Sequence, residues 1–277
     1  GVAPSPKTAF LYDQIKQGTF PDATEQTAVS LHHFPIQFTT FVGRDEEITA
    51  VASHLLDPDC RLLTIIGTGG MGKTRLSVES AHYLINNHAH AAGDLFPDGC
   101  YFVPLADAND REQLITAIGK ALQLTFQPTE NLQQQMFTYL AGKKLLLVLD
   151  NFEQLVEKTA VFITQLLQAA PTVQLLISSR EALNTQAEWR LALGGLAYPS
   201  AEDALSDVTS YGAVRLFTEI AHRVHPNFRP DEVALVAIAR ICQLTQGVPL
   251  ALEIAAAWVR MMDCAAIAEQ INRNFDF

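Results

Sequence analysis

Gly67-Thr68-Gly69-Gly70-Met71-Gly72-Lys73-Thr74 fits the pattern G-x-x-x-x-G-K-[ST] and directly follows the apolar run Leu62-Leu63-Thr64-Ile65-Ile66. Glycines in such a loop let successive backbone N–H groups turn inward around a β-phosphate without side-chain obstruction. Lys73 then supplies a point charge to the β- and γ-phosphates, and the Thr74 hydroxyl completes a Mg²⁺ shell. A helix opening near Gly72 directs its positive dipole end at the same anion. The chain is therefore expected to bind a nucleotide, ADP or ATP with Mg²⁺, through Thr68, Gly69, Gly70, Met71, Gly72, Lys73, Thr74 and the adjoining Arg75.

Two further strand ends carry chemistry. Leu145-Leu146-Leu147-Val148-Leu149-Asp150 comes about 75 residues after the phosphate loop and ends in an acid suited to hold Mg²⁺, directly or through water. The next residue is Asn151 rather than a second acid, and Glu153 lies two further on. Either Glu153 polarises an attacking water, or it is an acid of the following helix's first turn and hydrolysis is slow. Leu175-Leu176-Ile177-Ser178-Ser179-Arg180 places a cation at another carboxyl end, where ligands of open α/β sheets sit. Arg180 can meet a γ-phosphate there, or can be salt-bridged to a carboxylate. Lys73, Asp150, Glu153 and Arg180 are the candidate catalytic residues, with Thr74 and Asp150 as metal ligands.

The elements needed to position these groups are legible as alternating runs. Strand-like runs over 62–66, 100–105, 144–150, 173–179 and 189–193 alternate with helical patterns over 110–122, 132–140 and 153–169. Such alternation predicts an α/β fold, a P-loop NTPase three-layer αβα architecture with a mostly parallel five-stranded sheet. Beyond residue 200 only helical periodicity is visible, over 210–224, 231–246, 249–260 and 265–273, which predicts a small all-α domain. The expected division is 1–37 as a linker or upstream tail, 38–197 as the nucleotide-binding domain and 198–277 as the helical domain. Pro4, Pro6, Gly18 and Pro21 punctuate the first stretch around an amphipathic segment over 8–17. A chain that opens at Gly1 without Met and stops at Phe277 reads as an excised fragment.

Composition narrows the function classes. No apolar run approaches the length of a membrane span and no secretory signal is present, so a cytoplasmic protein is expected. Cys60, Cys100, Cys242 and Cys264 are widely spaced with no C-x-x-C pair, which argues against zinc and against a disulfide framework. A net charge of −11 argues against direct nucleic-acid contact by this segment. His32-His33 and His88/His90 lack carboxylate or Cys partners at ligand spacing, and Trp189 and Trp258 read as core or domain-interface residues.

Together these residues make the chain resemble the STAND-class signalling ATPases of the NB-ARC type. Four spaced motifs carry the resemblance: Phe41-Val42-Gly43-Arg44-Asp45-Glu46-Glu47, Gly67 to Thr74, Leu145 to Asp150, and Ser178-Ser179-Arg180. A fifth, Gly247-Val248-Pro249-Leu250-Ala251-Leu252, is similar to the family's G-x-P-L-A-L signature. The resemblance implies that Val42, Gly43 and Arg44 contact adenine largely through backbone groups, that Pro249, with Leu250 beside it, closes over the base, and that Arg180 reads the γ-phosphate. Pro249 suits a helix start, where its fixed φ and missing N–H cost nothing. The amino-terminal Gly1-Val2-Ala3-Pro4-Ser5-Pro6-Lys7-Thr8 with Leu11-Tyr12-Asp13-Gln14-Ile15 resembles the tail of a bacterial transcriptional activation domain.

Two departures from the family pattern stand out. No winged-helix segment with the family's ADP-contacting histidine is found before Phe277, and Asn151 replaces the second acid. The implied function is a nucleotide-dependent switch with slow hydrolysis, self-association of the full-length protein in its ATP state, and signalling or transcriptional output through attached domains. The competing readings are a P-loop kinase, which would need an acceptor-binding lid, and a nucleic-acid-remodelling ATPase, which would need a basic surface.

Overall fold

The computed structural model describes residues 32–37, 39–88, 95–127, 130–200, 202–203 and 207–273. Of the expected linker over 1–37, residues 1–31, with the amphipathic segment and the activation-domain-like tail, lie outside the described residues. From His33 onward the described chain forms one compact unit.

Its sheet contains β1 (Leu62–Ile66), β2 (Cys100–Pro104), β3 (Leu146–Asp150), β4 (Gln174–Ser179) and β5 (Glu188–Ala192). They lie in the order β2-β3-β4-β1-β5, with the two-residue strand His32–His33 at the β2 edge. All four pairings among the five longer strands are parallel. The phosphate-loop strand β1 and the acid strand β3 are thus not neighbours; β4 runs between them and sets their spacing.

Alternation of side chains across each strand divides the core into two layers. On one face Leu62, Leu147, Leu149, Leu175 and Ile177 pack against helices α3 (Arg111–Ala121), α4 (Leu132–Leu140) and α5 (Val156–Ala169), through Ile118, Met136, Phe162 and Leu166. On the other face Leu63, Ile65, Leu146, Val148 and Leu176 meet helices α1 (Asp45–Leu56) and α2 (Lys73–His88), through Val51, Leu55, Leu76 and Leu84. The architecture is the expected three-layer αβα, with β1, β3 and β4 buried on both faces and the edge strand β5 partly exposed. Among its helices, α3 and α4 begin at side-chain caps: Asp110 accepts from the Gln113 N–H and Asn131 from the Gln134 N–H.

Past β5 the described chain is helical: α6 (Gly212–Val224), α7 (Glu232–Leu244), α8 (Pro249–Ala257) and α9 (Cys264–Arg273). These pack around their own core of Ala213, Phe217, Ile238, Ile241, Leu252 and Ile267. Trp258 packs against this cluster, and Trp189 meets the His54 ring edge-on beside β1.

Three details differ from the sequence reading. Helix α1 was not among the expected helices, although Asp45, Glu46 and Glu47 form its dipole-favoured first turn and Val51, Ala52 and Leu55 its buried stripe. The helix expected over 153–169 begins as a 3₁₀ turn, Phe152–Gln154, and becomes α-helical at Val156. Asn151 causes the offset, because its left-handed conformation (φ 62°) turns the chain sharply at the end of β3. The helix expected over 249–260 closes early as well, its last residues, Trp258–Arg260, tightening into a 3₁₀ turn.

Candidate nucleotide site

A cleft of about 370 Å³ opens at the carboxyl edge of the sheet, between the phosphate loop and the helical region. It brings together Val42, Arg44, Gly69, Gly70, Met71, Gly72, Lys73, Thr74, Arg75, Glu153, Arg180, Pro249 and Leu250 from the expected set. Three expected residues do not line it. Thr68 lends its carbonyl to Lys73, Asp150 stands behind Thr74, and Gly43 packs against the helical region.

The phosphate end is built by strand endings. Register places Ile66 of β1 beside Ser179 of β4, and Leu149 of β3 beside Ile177, so the phosphate loop, Asp150 and Arg180 all emerge along one edge. Gly72 has φ 84° and no atom within 4 Å of the place a Cβ would take, leaving an open cradle of backbone. The Lys73 ammonium donates to the carbonyls of Gly67 (2.8 Å) and Thr68 (3.0 Å), which folds it over the loop. Burial lowers the pKa of Lys73 from its ordinary value, opposed by the Glu153 carboxylate. A polyphosphate in the cradle would restore favourable surroundings for that charge.

Asp150 is pinned from two sides. The Thr74 hydroxyl donates to its carboxylate oxygens at 2.8 and 3.0 Å, and the Ser178 hydroxyl donates to Oδ1. The Asn151 N–H in turn donates to Ser178 Oγ at 3.0 Å. This places two hard oxygen donors, Thr74 Oγ1 and an Asp150 oxygen, in direct contact at the loop. The pair fits Mg²⁺, which takes one or two protein oxygens and completes its shell with phosphates and water. Among the described residues no group of three or more His, Cys, Asp or Glu is arranged to hold a metal ion.

Glu153 and Arg180 sit against one another: Arg180 Nε lies 3.1 Å from Glu153 Oε1, while Glu153 Oε2 is buried without a hydrogen-bond partner. Arg180 is 65% exposed, so its guanidinium is held by the ion pair rather than by packing. It also approaches the loop, with Nη2 3.7 Å from where a Gly69 Cβ would stand. Of the two sequence alternatives for Arg180, the salt bridge is present, and its carboxylate belongs to the cleft.

The other end is apolar and assembled from distant segments. Val42, Leu196, Leu216, Pro249 and Leu250 line it, and the Leu250 N–H donates to the Gly70 carbonyl at 3.2 Å. Pro249 occupies the first turn of α8. The buried Arg44 side chain donates to Glu47 and to the Gly194 carbonyl (2.6 Å), and its own carbonyl accepts from the Ile48 N–H at 2.9 Å. Arg75 donates to the Thr39 carbonyl and lies over the Phe41 ring, 5.3 Å from its centre. Gly43 permits a close approach: with φ 69°, its Cβ would stand 2.7 Å from the Cα of Gly212.

Thr40, Phe41, Asn151, Leu196, Leu216 and Glu253 also line the cleft and were not among the sequence candidates. Phe41 and Asn151 adjoin quoted motifs and were within reach. Leu216 and Glu253 carried no signal, because which helix face meets the loop depends on packing.

This geometry, a parallel sheet with a phosphate loop and a carboxylate strand separated by one strand, defines a P-loop nucleotide-binding ATPase. The model of the AAA ATPase domain family matches residues 40–178, half of the chain, and the chain belongs to that family. A Mycobacterium tuberculosis protein whose name assigns it provisionally to the HTH-type transcriptional regulators is 34% identical over 217 residues, 78% of this chain and 22% of that protein. An uncharacterized M. tuberculosis protein is 30% identical over 239 residues, covering 86% of this chain and 55% of the relative. The chain thus spans only part of the length of these relatives. Among solved structures, the Aeropyrum pernix ORC2 protein in ADPNP–ADP complexes aligns with TM-score 0.53 and 15% identity over 86% of this chain and 69% of that one. Cdc6p from Pyrobaculum aerophilum aligns with TM-score 0.55 and 14% identity over 86% and 65%. At these identities the likeness is one of fold.

Proposed function

We propose that this chain is the nucleotide-operated switch of a larger regulator, of the NB-ARC type within the STAND class. It divides near residue 197 into a nucleotide-binding domain and a helical domain. ADP with Mg²⁺ holds the two together, and exchange for ATP separates them and exposes a surface for self-association. Lys73 binds the β- and γ-phosphates, Thr74 and Asp150 hold the metal, and Arg180 reads the γ-phosphate. Glu153 polarises the attacking water, with slow turnover. Output passes to attached domains that regulate transcription, in line with the regulator name carried by a relative.

The observation that carries this reading is the construction of the cleft. Its phosphate end belongs to the sheet, and its apolar end sets Val42 and Leu196 together with Leu216 of α6 and Pro249 and Leu250 of α8, with a hydrogen bond from Leu250 to Gly70. A nucleotide spanning both ends changes the free energy of their contact, and the extra charge of ATP acts where Arg180 and Glu153 already compensate each other. The test is to denature the purified protein, identify any released nucleotide by ion-exchange chromatography, and titrate the emptied protein with ADP and with ATP plus Mg²⁺. Co-purified, tightly retained ADP is expected. An empty protein that prefers ATP and turns it over steadily would sink the switch reading in favour of an ordinary ATPase or kinase.

A further inference from the structure

Four cations line the cleft, and each already has a partner. Lys73 is folded onto the loop carbonyls, Arg44 is bound to Glu47 and Gly194, Arg75 to Thr39 and Phe41, and Arg180 to Glu153. Two carboxylates line the same cleft. Glu153 is paired, whereas Glu253 makes no ion pair or hydrogen bond among the described residues. A half-buried carboxylate with no protein partner is an acceptor open to donors that a ligand brings.

Position indicates which donors. Glu253 lines the cleft one turn along α8 from Pro249, in the apolar wall, and from Leu250, whose N–H and side chain lie against Gly70 of the phosphate loop. In a nucleotide, the part between an apolar base and its phosphates is the sugar, and a ribose offers two adjacent hydroxyls. A carboxylate has two acceptor oxygens and can take both.

We infer that Glu253 selects ribonucleotides by accepting hydrogen bonds from the ribose hydroxyls, a specificity determinant that rests on the nucleotide reading above. The sugar contact makes α8 the recogniser of the nucleoside while the sheet side recognises its phosphates. A 2′-deoxy ligand would leave the carboxylate facing the sugar with one fewer donor, so discrimination comes from an unsatisfied acceptor more than from the strength of the bond made.

The test is calorimetric titration of the wild-type protein, Glu253→Ala and the near-isosteric Glu253→Gln with ADP, 2′-deoxy-ADP, 3′-deoxy-ADP and inosine diphosphate. Wild type should bind ADP about ten-fold more tightly than either deoxy analogue. Glu253→Ala should bring ADP down to the deoxy level while leaving deoxy affinities within about two-fold, and Glu253→Gln should fall between. Retained deoxy binding certifies that the variant cleft is intact, which a merely structural role for Glu253 would not give. An unchanged ribose preference in Glu253→Ala, equal losses for ADP and its deoxy analogues, or a lost preference for ADP over inosine diphosphate alone would each overturn the assignment. Wild-type protein that binds ADP without sugar preference overturns this inference only; wild-type protein that binds none of the four overturns the nucleotide reading with it.

Discussion

The two ends of the cleft are made differently. At the phosphate end the key side chains are tied to one another along the same sheet edge: Lys73 to its loop, Thr74 and Ser178 to Asp150, Arg180 to Glu153. At the apolar end the walls come from residues more than 150 positions apart in sequence, Val42 facing Leu216 and Pro249, held by close backbone approach and by the Leu250–Gly70 hydrogen bond. The first end is preorganised by short-range covalent connection and a shared register. The second exists only once the helical region has docked. A switch needs this inequality, since the part that binds charge must stay rigid while the part that covers the base must be able to leave.

Lys73→Ala should cut the preorganised end most deeply. ADP affinity is expected to fall about 100-fold or more by calorimetry with thermal stability nearly unchanged, since a buried phosphate would lose its charge partner. Unchanged affinity would remove the site assignment. The docked end should respond through stability instead. Gly43→Ala forces a Cβ at φ 69° into the Gly212 backbone at 2.7 Å, and a loss of about 1–3 kcal/mol in denaturant unfolding is expected. If a two-step transition replaces a single one, the helical region has come away first, which sharpens the contrast between the ends.

Arg180→Ala tests whether the ion pair gives way to a γ-phosphate. ADP affinity should stay within about two-fold while ATP weakens about ten-fold, and equal losses for both would contradict γ-phosphate recognition. The smallest effect lies outside the cleft. Lys143 Nζ donates to Asp98 Oδ1 and the Lys144 N–H to Oδ2, both at 2.8 Å, which holds the Asp98 carboxyl below the usual 3.8. A lowered folded pKa means that this stabilisation is present above about pH 3.8 and is lost as pH falls through the lowered value. Asp98→Asn should therefore cost about 0.2–1 kcal/mol at pH 7, and mutant and wild-type stabilities should converge in acid; a pH-independent difference would point to packing. The four thiols supply a control on all of these variants. Cys60 and Cys264 are pushed up to about 11 and Cys100 and Cys242 to about 12 by burial, so a folded variant should resist thiol reagents at neutral pH.

Most of the sheet was legible because its strands are buried on both faces and read as unbroken apolar runs, of which Leu145 to Asp150 is the plainest. The phosphate loop was legible because its chemistry constrains residue types inside one contiguous segment. Helix α1 carries a helical signature in its acidic first turn and its buried Val51, Ala52 and Leu55, and it overlaps the charged Arg44–Glu47 motif. The 3₁₀ start after Asn151 was not legible, since one residue's left-handed turn leaves no periodic trace.

The sequence by itself determined the phosphate cradle, the acid strand and the αβ alternation, because each depends on neighbours along the chain: glycines that free the backbone, a Lys-Thr pair at a helix start, and apolar runs that demand two covered faces. Only the tertiary structure decided that β4 separates β1 from β3, that Arg180 meets Glu153, that Gly43 touches Gly212, and that α8 turns Glu253 toward the cleft. Those outcomes depend on how buried surfaces far apart in the chain are matched, and packing of this kind sets side-chain direction without marking any local pattern.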